Sequence, residues 1–310
     1  MTTITIEDVE SVRFSAPDLA QMRDFLRDFG MVEAEDTGDG ILRMRGTSDT
    51  PFLHETVQGE PAYVSLTLRA ASLTELESLA EAEGVPVEPA PGPGGGSQIT
   101  LRDPDGFQVH VIAGKARMPI TPGEAAAAWN TIAGRDRPNQ PKRMTTRPAG
   151  VARLGHVVLG VSDLQATWDW WRARFALLMS DEVRTPDGIM IAAFIRLDRG
   201  ALPTDHHSLN FATMPGRPPA FHHAAFEVAD LDDLMVGHEH LKQAGHQQLW
   251  GVGRHILGSQ VFDYWRDPWG HRIEHWTDGD VFSAETPGGV HGLPVLLGQQ
   301  WGPDAPADFV

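Results

Sequence analysis

The stretch YWRDPWGHRIEHWTDG (264–279) has a second version in this chain. Its counterpart, LRDPDGFQVHVIAG (101–114), lies 164 residues earlier, counted from Asp103 to Asp267. Each reads as a β-hairpin. In the later copy Phe262–Asp267 and His271–Trp276 are the strands, joined by DPWG (267–270). Asp-Pro-Trp-Gly suits a type I turn with Pro second and Gly270 in the left-handed bulge position. A three-residue loop of that kind pairs Asp267 with His271, and hence Tyr264 with Glu274. Cross-strand partners share a face, so a phenol stands beside a carboxylate. The same register pairs Thr100 with His110 in the earlier copy, which has no phenol there. A charge between Ile273 and His275 is costly on a buried face unless something partners it.

Two more segment pairs recur in the same order. VRFSAPDLAQMRDFLRDFGM (12–31) matches VVLGVSDLQATWDWWRARFALL (157–178) at an offset of 145. YVSLTLRAASLTELESLAEAEG (63–84) matches HHAAFEVADLDDLMVGHEHLKQAG (222–245) at an offset of 158. The chain is therefore a duplication. In each copy a strand runs into a helix beginning at PDL or SDL, with Asp as N-cap, and further strands follow. A second strand and a second helix ending at Gly then lead to the hairpin. That makes two βαβββ units per copy, an α+β fold with curved mixed sheets. The expected organisation is a first module over 1–114 and a linker over 115–149 with a short helix around Ala125–Ile132. A second module follows over 150–282, and then a Pro/Gly-rich tail over 283–310, expected as a cover or a subunit contact.

With 310 residues the chain can bury a large core, and 41% hydrophobic content is ordinary for a globular protein. A net charge of −17 argues against a nucleic-acid backbone or an anionic membrane as partner. With no cysteine, disulfides and thiolate metal sites are excluded. The opening MTTITIEDVE is unlike a signal peptide and no long apolar run suggests a membrane span, so a soluble cytoplasmic protein is expected. Eleven of the 14 histidines fall between 206 and 291, which places the chemistry in the second half.

The repeat isolates that chemistry. His156, His223 and Glu274 stand where the first copy has Ser11, Ser65 and His110. All three lie on strands and can converge on the concave face of one sheet. Two imidazoles and one carboxylate suit a non-haem Fe(II) with open positions for substrate and oxygen. A lone buried histidine is more often a hydrogen-bonded core residue. The coincidence of three such residues in one copy only reverses that balance. The WDWW stretch (168–171) has helical spacing and reads as packing, and PGPGGG (91–96) lacks the ending of a phosphate loop.

LGHVVLGVSDL (154–164), HHSLNFA (206–212), FHHAAFEV (221–228) and GRHILGSQVFDYWRDPWGHRIEHW (253–276) together resemble the type I extradiol ring-cleavage (catechol) dioxygenases. These belong to the vicinal oxygen chelate superfamily, with the glyoxalases and bleomycin-resistance proteins. The resemblance covers nearly the whole chain and implies tandem vicinal oxygen chelate modules with the metal in the C-terminal one. It implies Fe(II), less often Mn(II), on His156, His223 and Glu274. His207 matches the family's acid–base histidine, and His255 and Tyr264 match residues that bind the substrate oxygens. His206, His222, His238, His240 and His275 are read as structural or surface residues. Val158 and Leu257 are apolar where some branches carry polar groups.

The implied reaction is meta cleavage of a small aromatic diol by O2, with homo-oligomerisation expected from the family. Two other functions are compatible with parts of the pattern. A glyoxalase-like isomerase or a hydrolase on the same fold would keep the metal, but such enzymes commonly draw ligands from both modules. A protein that sequesters a small aromatic compound would need no metal.

Overall fold

The structure is a computed structural model that describes residues 2–121, 128–214 and 216–309. The first copy runs β1 (Ile6–Ala16), α1 (Leu19–Phe29), β2 (Val32–Glu33), β3 (Leu42–Arg45) and β4 (His54–Gln58). It continues through β5 (Ala62–Ala70), α2 (Leu73–Glu83), β6 (Glu88–Pro89), β7 (Ser97–Arg102) and β8 (Gln108–Ala113). The second copy opens with β9 (Arg153–Val161), α3 (Leu164–Arg172), β10 (Leu177–Arg184), β11 (Met190–Leu197), β12 (Thr204–Asp205) and β13 (Leu209–Thr213). Its second unit is β14 (Ala220–Glu227), α4 (Leu231–Gln243), β15 (Gln247–His255), β16 (Val261–Arg266) and β17 (Arg272–Thr277). β18 (Val281–Phe282), β19 (Gly289–Gly292), a short 3-10 turn (Leu293–Val295) and β20 (Gln299–Trp301) follow.

Local chemistry sets the element ends. Asp18, Asp163 and Asp230 accept backbone N–H groups of the first turns of α1, α3 and α4, and Ser72 does so for α2. The helix expected around Ala125–Ile132 begins on residues outside those described. Its described part, 128–132, is not helical, and Ile132 is fully exposed there, so no apolar face is buried to stabilise a turn.

β1–β8 form one mixed sheet, in the order β2-β3-β4-β1-β5-β8-β7-β6. Among the described residues the second sheet has ten strands, β19-β10-β11-β13-β9-β14-β17-β16-β15-β20. Residues beyond the second βαβββ pair thus supply both of its edges: β19 lies parallel to β10, and β20 antiparallel to β15. The two sheets share one apolar core, where Phe14 meets Phe221 and Phe29 meets Phe226 edge to face. His275 stacks on Phe29 and donates from Nε2 to the Phe29 carbonyl at 2.7 Å, tying the halves together. Among the described residues no helix is long and apolar enough to cross a membrane.

Close packing on the second sheet is exacting. A Cβ on Gly155 would stand 2.4 Å from Cζ2 of Trp276. Gly155→Ala is expected to cost about 1–3 kcal/mol by overpacking. The check is a lower urea midpoint with an unchanged slope.

Candidate metal centre

Strand register builds the centre. One row across the second sheet reads His156, Ala225, Glu274 and Tyr264, taken from β9, β14, β17 and β16. The matching row of the first sheet reads Ser11, Thr67, His110 and Thr100. Register and sequence offsets therefore agree on which positions correspond. His223 lies two residues before Ala225 on β14, so it projects from the same face. The DPWG turn supplies the Tyr264–Glu274 pairing, with Gly270 at φ 90° and its N–H on the Asp267 carbonyl at 3.0 Å.

Nε2 of His156, Nε2 of His223 and Oε2 of Glu274 form a triangle with each side 3.3 Å. Donors about 2.1 Å from one ion, at angles of about 90–105°, stand about 3.0–3.3 Å apart, so the spacing fits a divalent cation. Both carboxylate oxygens of Glu274 and Nδ1 of His156 are buried without a hydrogen-bond partner. An isolated buried carboxylate is expensive, and a cation is what would satisfy it. Burial pushes the Glu274 carboxyl above its usual range, with His156 only partly offsetting this. Among the described residues no other three His, Cys, Asp or Glu bring their donor atoms as close together. In the first sheet the buried arginines are ion-paired: Arg69 with Glu10 at 2.6 Å and Arg43 with Glu55 at 2.8 Å.

The other expected residues gather round the triangle. The ring of His207 lies 4.3 Å from that of His156, centre to centre. Burial, reinforced by His156, pushes His207 well below the usual imidazole range. His255 Nε2 and the Tyr264 hydroxyl are 2.9 Å apart. Burial raises the Tyr264 phenol, helped by the Glu274 charge, so it stays protonated and can donate. Burial lowers His255 to about 3. His156, His207, His223, His255 and Tyr264 line one end of a cavity whose remaining wall includes Val158, Phe194, Ala212 and Leu257. Leu296, Leu297 and Phe309 also line it, so the tail roofs the chamber.

Two histidines read as structural or surface residues stand directly behind the site. His206 Nδ1 is 3.1 Å from His207 Nδ1, and its Nε2 is 2.7 Å from Asp181, which also holds His291 at 2.8 Å. His222 Nδ1 is 2.7 Å from His223 Nδ1, and its Nε2 is 2.8 Å from the Phe309 carbonyl. Ideal strand alternation would send His222 to the opposite face from His223. The pairing of β14 with β9 slips between Phe221 and His223, leaving His222 as the extra residue of a bulge. Bulges re-aim side chains beside active sites. The only trace of this in the sequence is that His222 aligns with Val64 at the same offset that matches His223 to Ser65.

Residues 153–275 match the family model described as glyoxalase/bleomycin resistance protein/dioxygenase superfamily. Metapyrocatechase 2 of Cupriavidus necator is 30% identical over 309 residues, covering 98% of this chain and 92% of that protein. An iron-dependent extradiol dioxygenase of Rhodococcus jostii (strain RHA1) is 26% identical, covering 91% and 93%. Among solved structures, the Mn(II)-bound glyoxalase from Novosphingobium aromaticivorans superposes with a TM-score of 0.77 at 21% identity, over 98% of this chain and 93% of that one. The fold of paired βαβββ units is thus the vicinal oxygen chelate fold, and its second sheet brings together two His and one Glu that could hold a metal ion. By full-length similarity and by the centre it builds, this chain belongs to the extradiol ring-cleavage dioxygenases of that superfamily.

Proposed function

We propose that the protein opens a catechol-type aromatic diol beside its paired oxygens, using O2 and an Fe(II) held by His156, His223 and Glu274. The observation that carries this reading is the 3.3 Å triangle of two imidazoles and one carboxylate facing a largely apolar cavity. Three protein donors leave positions open on the ion, which is what a chelating diol and dioxygen together require. A bound Fe(II) supplies a common site for the two reactants and a path for electrons between them. The iron-dependent relative favours iron over manganese.

The chain's own groups then divide the proton chemistry. His207, neutral and buried against His156, accepts a proton from a diol hydroxyl and returns it as the ring opens. Tyr264 donates to a substrate oxygen, held for this by its contact with His255. Val158, Phe194 and Leu257 shed water and leave room for an apolar ring substituent. Both atoms of O2 enter the product, a semialdehyde acid, or a keto acid where the cleaved carbon is substituted. In this reading the unit over 150–282 carries the chemistry, and residues 1–114 are scaffold.

The test is anaerobic loading with Fe(II) or, separately, Mn(II), then addition of catechols with and without apolar substituents and admission of air. A yellow ring-fission chromophore with the Fe(II) protein is expected. Stoichiometric metal loading with no colour from any diol would overturn the proposal. Colour with Mn(II) alone would reassign the metal.

A further inference from the structure

We propose that His222 is a positioning residue for the metal centre: anchored on the Phe309 carbonyl, it holds His223 in the tautomer whose Nε2 lone pair faces His156 and Glu274. This rests on the metal-site reading above. The argument is one of donors and acceptors. The Phe309 carbonyl can only accept, so the proton at this 2.8 Å contact belongs to His222 Nε2. A neutral imidazole protonated there has only a lone pair at Nδ1. At 2.7 Å that lone pair must face an N–H, so His223 carries its proton on Nδ1. His223 Nε2 is then left as an acceptor at the corner of the donor triangle. Outer partners of this kind fix the orientation of a ligating imidazole and raise its basicity.

Two features serve this one contact. The bulge in β14 turns His222 onto the face of His223. In the first sheet the pairing slips at the matching place, between Phe14 and Arg13 against Tyr63 and Ser65, yet the bulged residue is Val64 and makes no such bond. The tail also carries its carbonyl to the site. β20 lies along β15, the Trp250 indole donates to the Pro303 carbonyl at 2.8 Å, and Arg272 donates to the Asp308 carbonyl at 2.9 Å. Phe309 itself is buried against Trp250 and Tyr264. The segment that roofs the cavity therefore also secures a ligand below it.

Four proteins test this under anaerobic conditions: the parent, His222→Phe, His222→Asn and a chain ending at Asp308. Fe(II) and Mn(II) affinities are measured by competition with a chelator, and folding is checked by circular dichroism. His222→Phe keeps a ring but no acceptor, and is expected to bind metal about 10–100-fold more weakly. His222→Asn offers a carbonyl oxygen near the position of Nδ1 and should recover most of that loss. The shortened chain loses the anchor and should fall between the two. Nitrogen-15 spectra of the metal-free parent need no substitution. They should show His222 protonated at Nε2 and His223 at Nδ1. A proton on His222 Nδ1, or parent-like affinity in a folded His222→Phe protein, overturns the inference alone. A parent that binds neither metal overturns the metal-site reading and this inference together.

Discussion

Glu274→Ala, His156→Ala and His223→Ala should each lose tight Fe(II) binding. Outer-shell changes alone cost about 10–100-fold, so removing a donor should exceed 100-fold. In the proposed site three donors make up the protein's share, and removing one leaves two 3.3 Å apart. The stability effect should run the other way for the carboxylate. Without metal, Glu274 is a fully buried group whose oxygens have no hydrogen-bond partner. Taking such a group out of water carries a large penalty, so Glu274→Gln should leave the metal-free unfolding midpoint unchanged or raise it while abolishing binding. Metal content by elemental analysis and thermal melts of stripped protein check the two halves separately. Full metal retention in all three alanine variants would remove the site from the account. A Glu274→Gln protein that melts far below the parent would show that the carboxylate is structural.

His207→Phe should keep metal and substrate and lose turnover. A positioned acid–base group contributes about 10²–10⁴-fold, and kcat should fall within that range while KM changes little. The reason is placement: His207 touches the His156 ring, but it is not a corner of the triangle. Its Nδ1 faces His206, so the ring is held from behind while its other edge is free for a reacting proton. Metal content, anaerobic diol binding by difference spectroscopy and single-turnover rates separate the three quantities. Near-normal turnover in a metal-loaded His207→Phe protein would end its acid–base assignment. Loss of metal would mean that the ring supports His156 instead.

Much of this was legible before any coordinate. The DPWG turn implied the Tyr264–Glu274 pairing, and the register has it. The offsets of 145, 158 and 164 aligned His156, His223 and Glu274 with Ser11, Ser65 and His110, and the rows of the two sheets align them too. Both readings worked because turn chemistry and strand alternation are local, and a duplicated chain supplies its own control. Of the expected linker helix only 128–132 lie among the described residues, and these are not helical.

The amino-acid sequence by itself determined the duplication, the hairpin register and the asymmetric donor set, since each follows from residues within one turn or strand, or at a constant offset. The tertiary structure alone decided how those donors are held. A single extra residue in β14 reverses the face of His222, and no residue type announces a bulge. The carbonyl of Phe309 lies 87 residues from His222, and Asp181 lies 25 from His206. Contacts between such distant segments depend on where the tail and β10 run once the sheet has curved. Burial, which drives the carboxyl of Glu274 up and the imidazole of His207 down, also exists only when the core has closed around them.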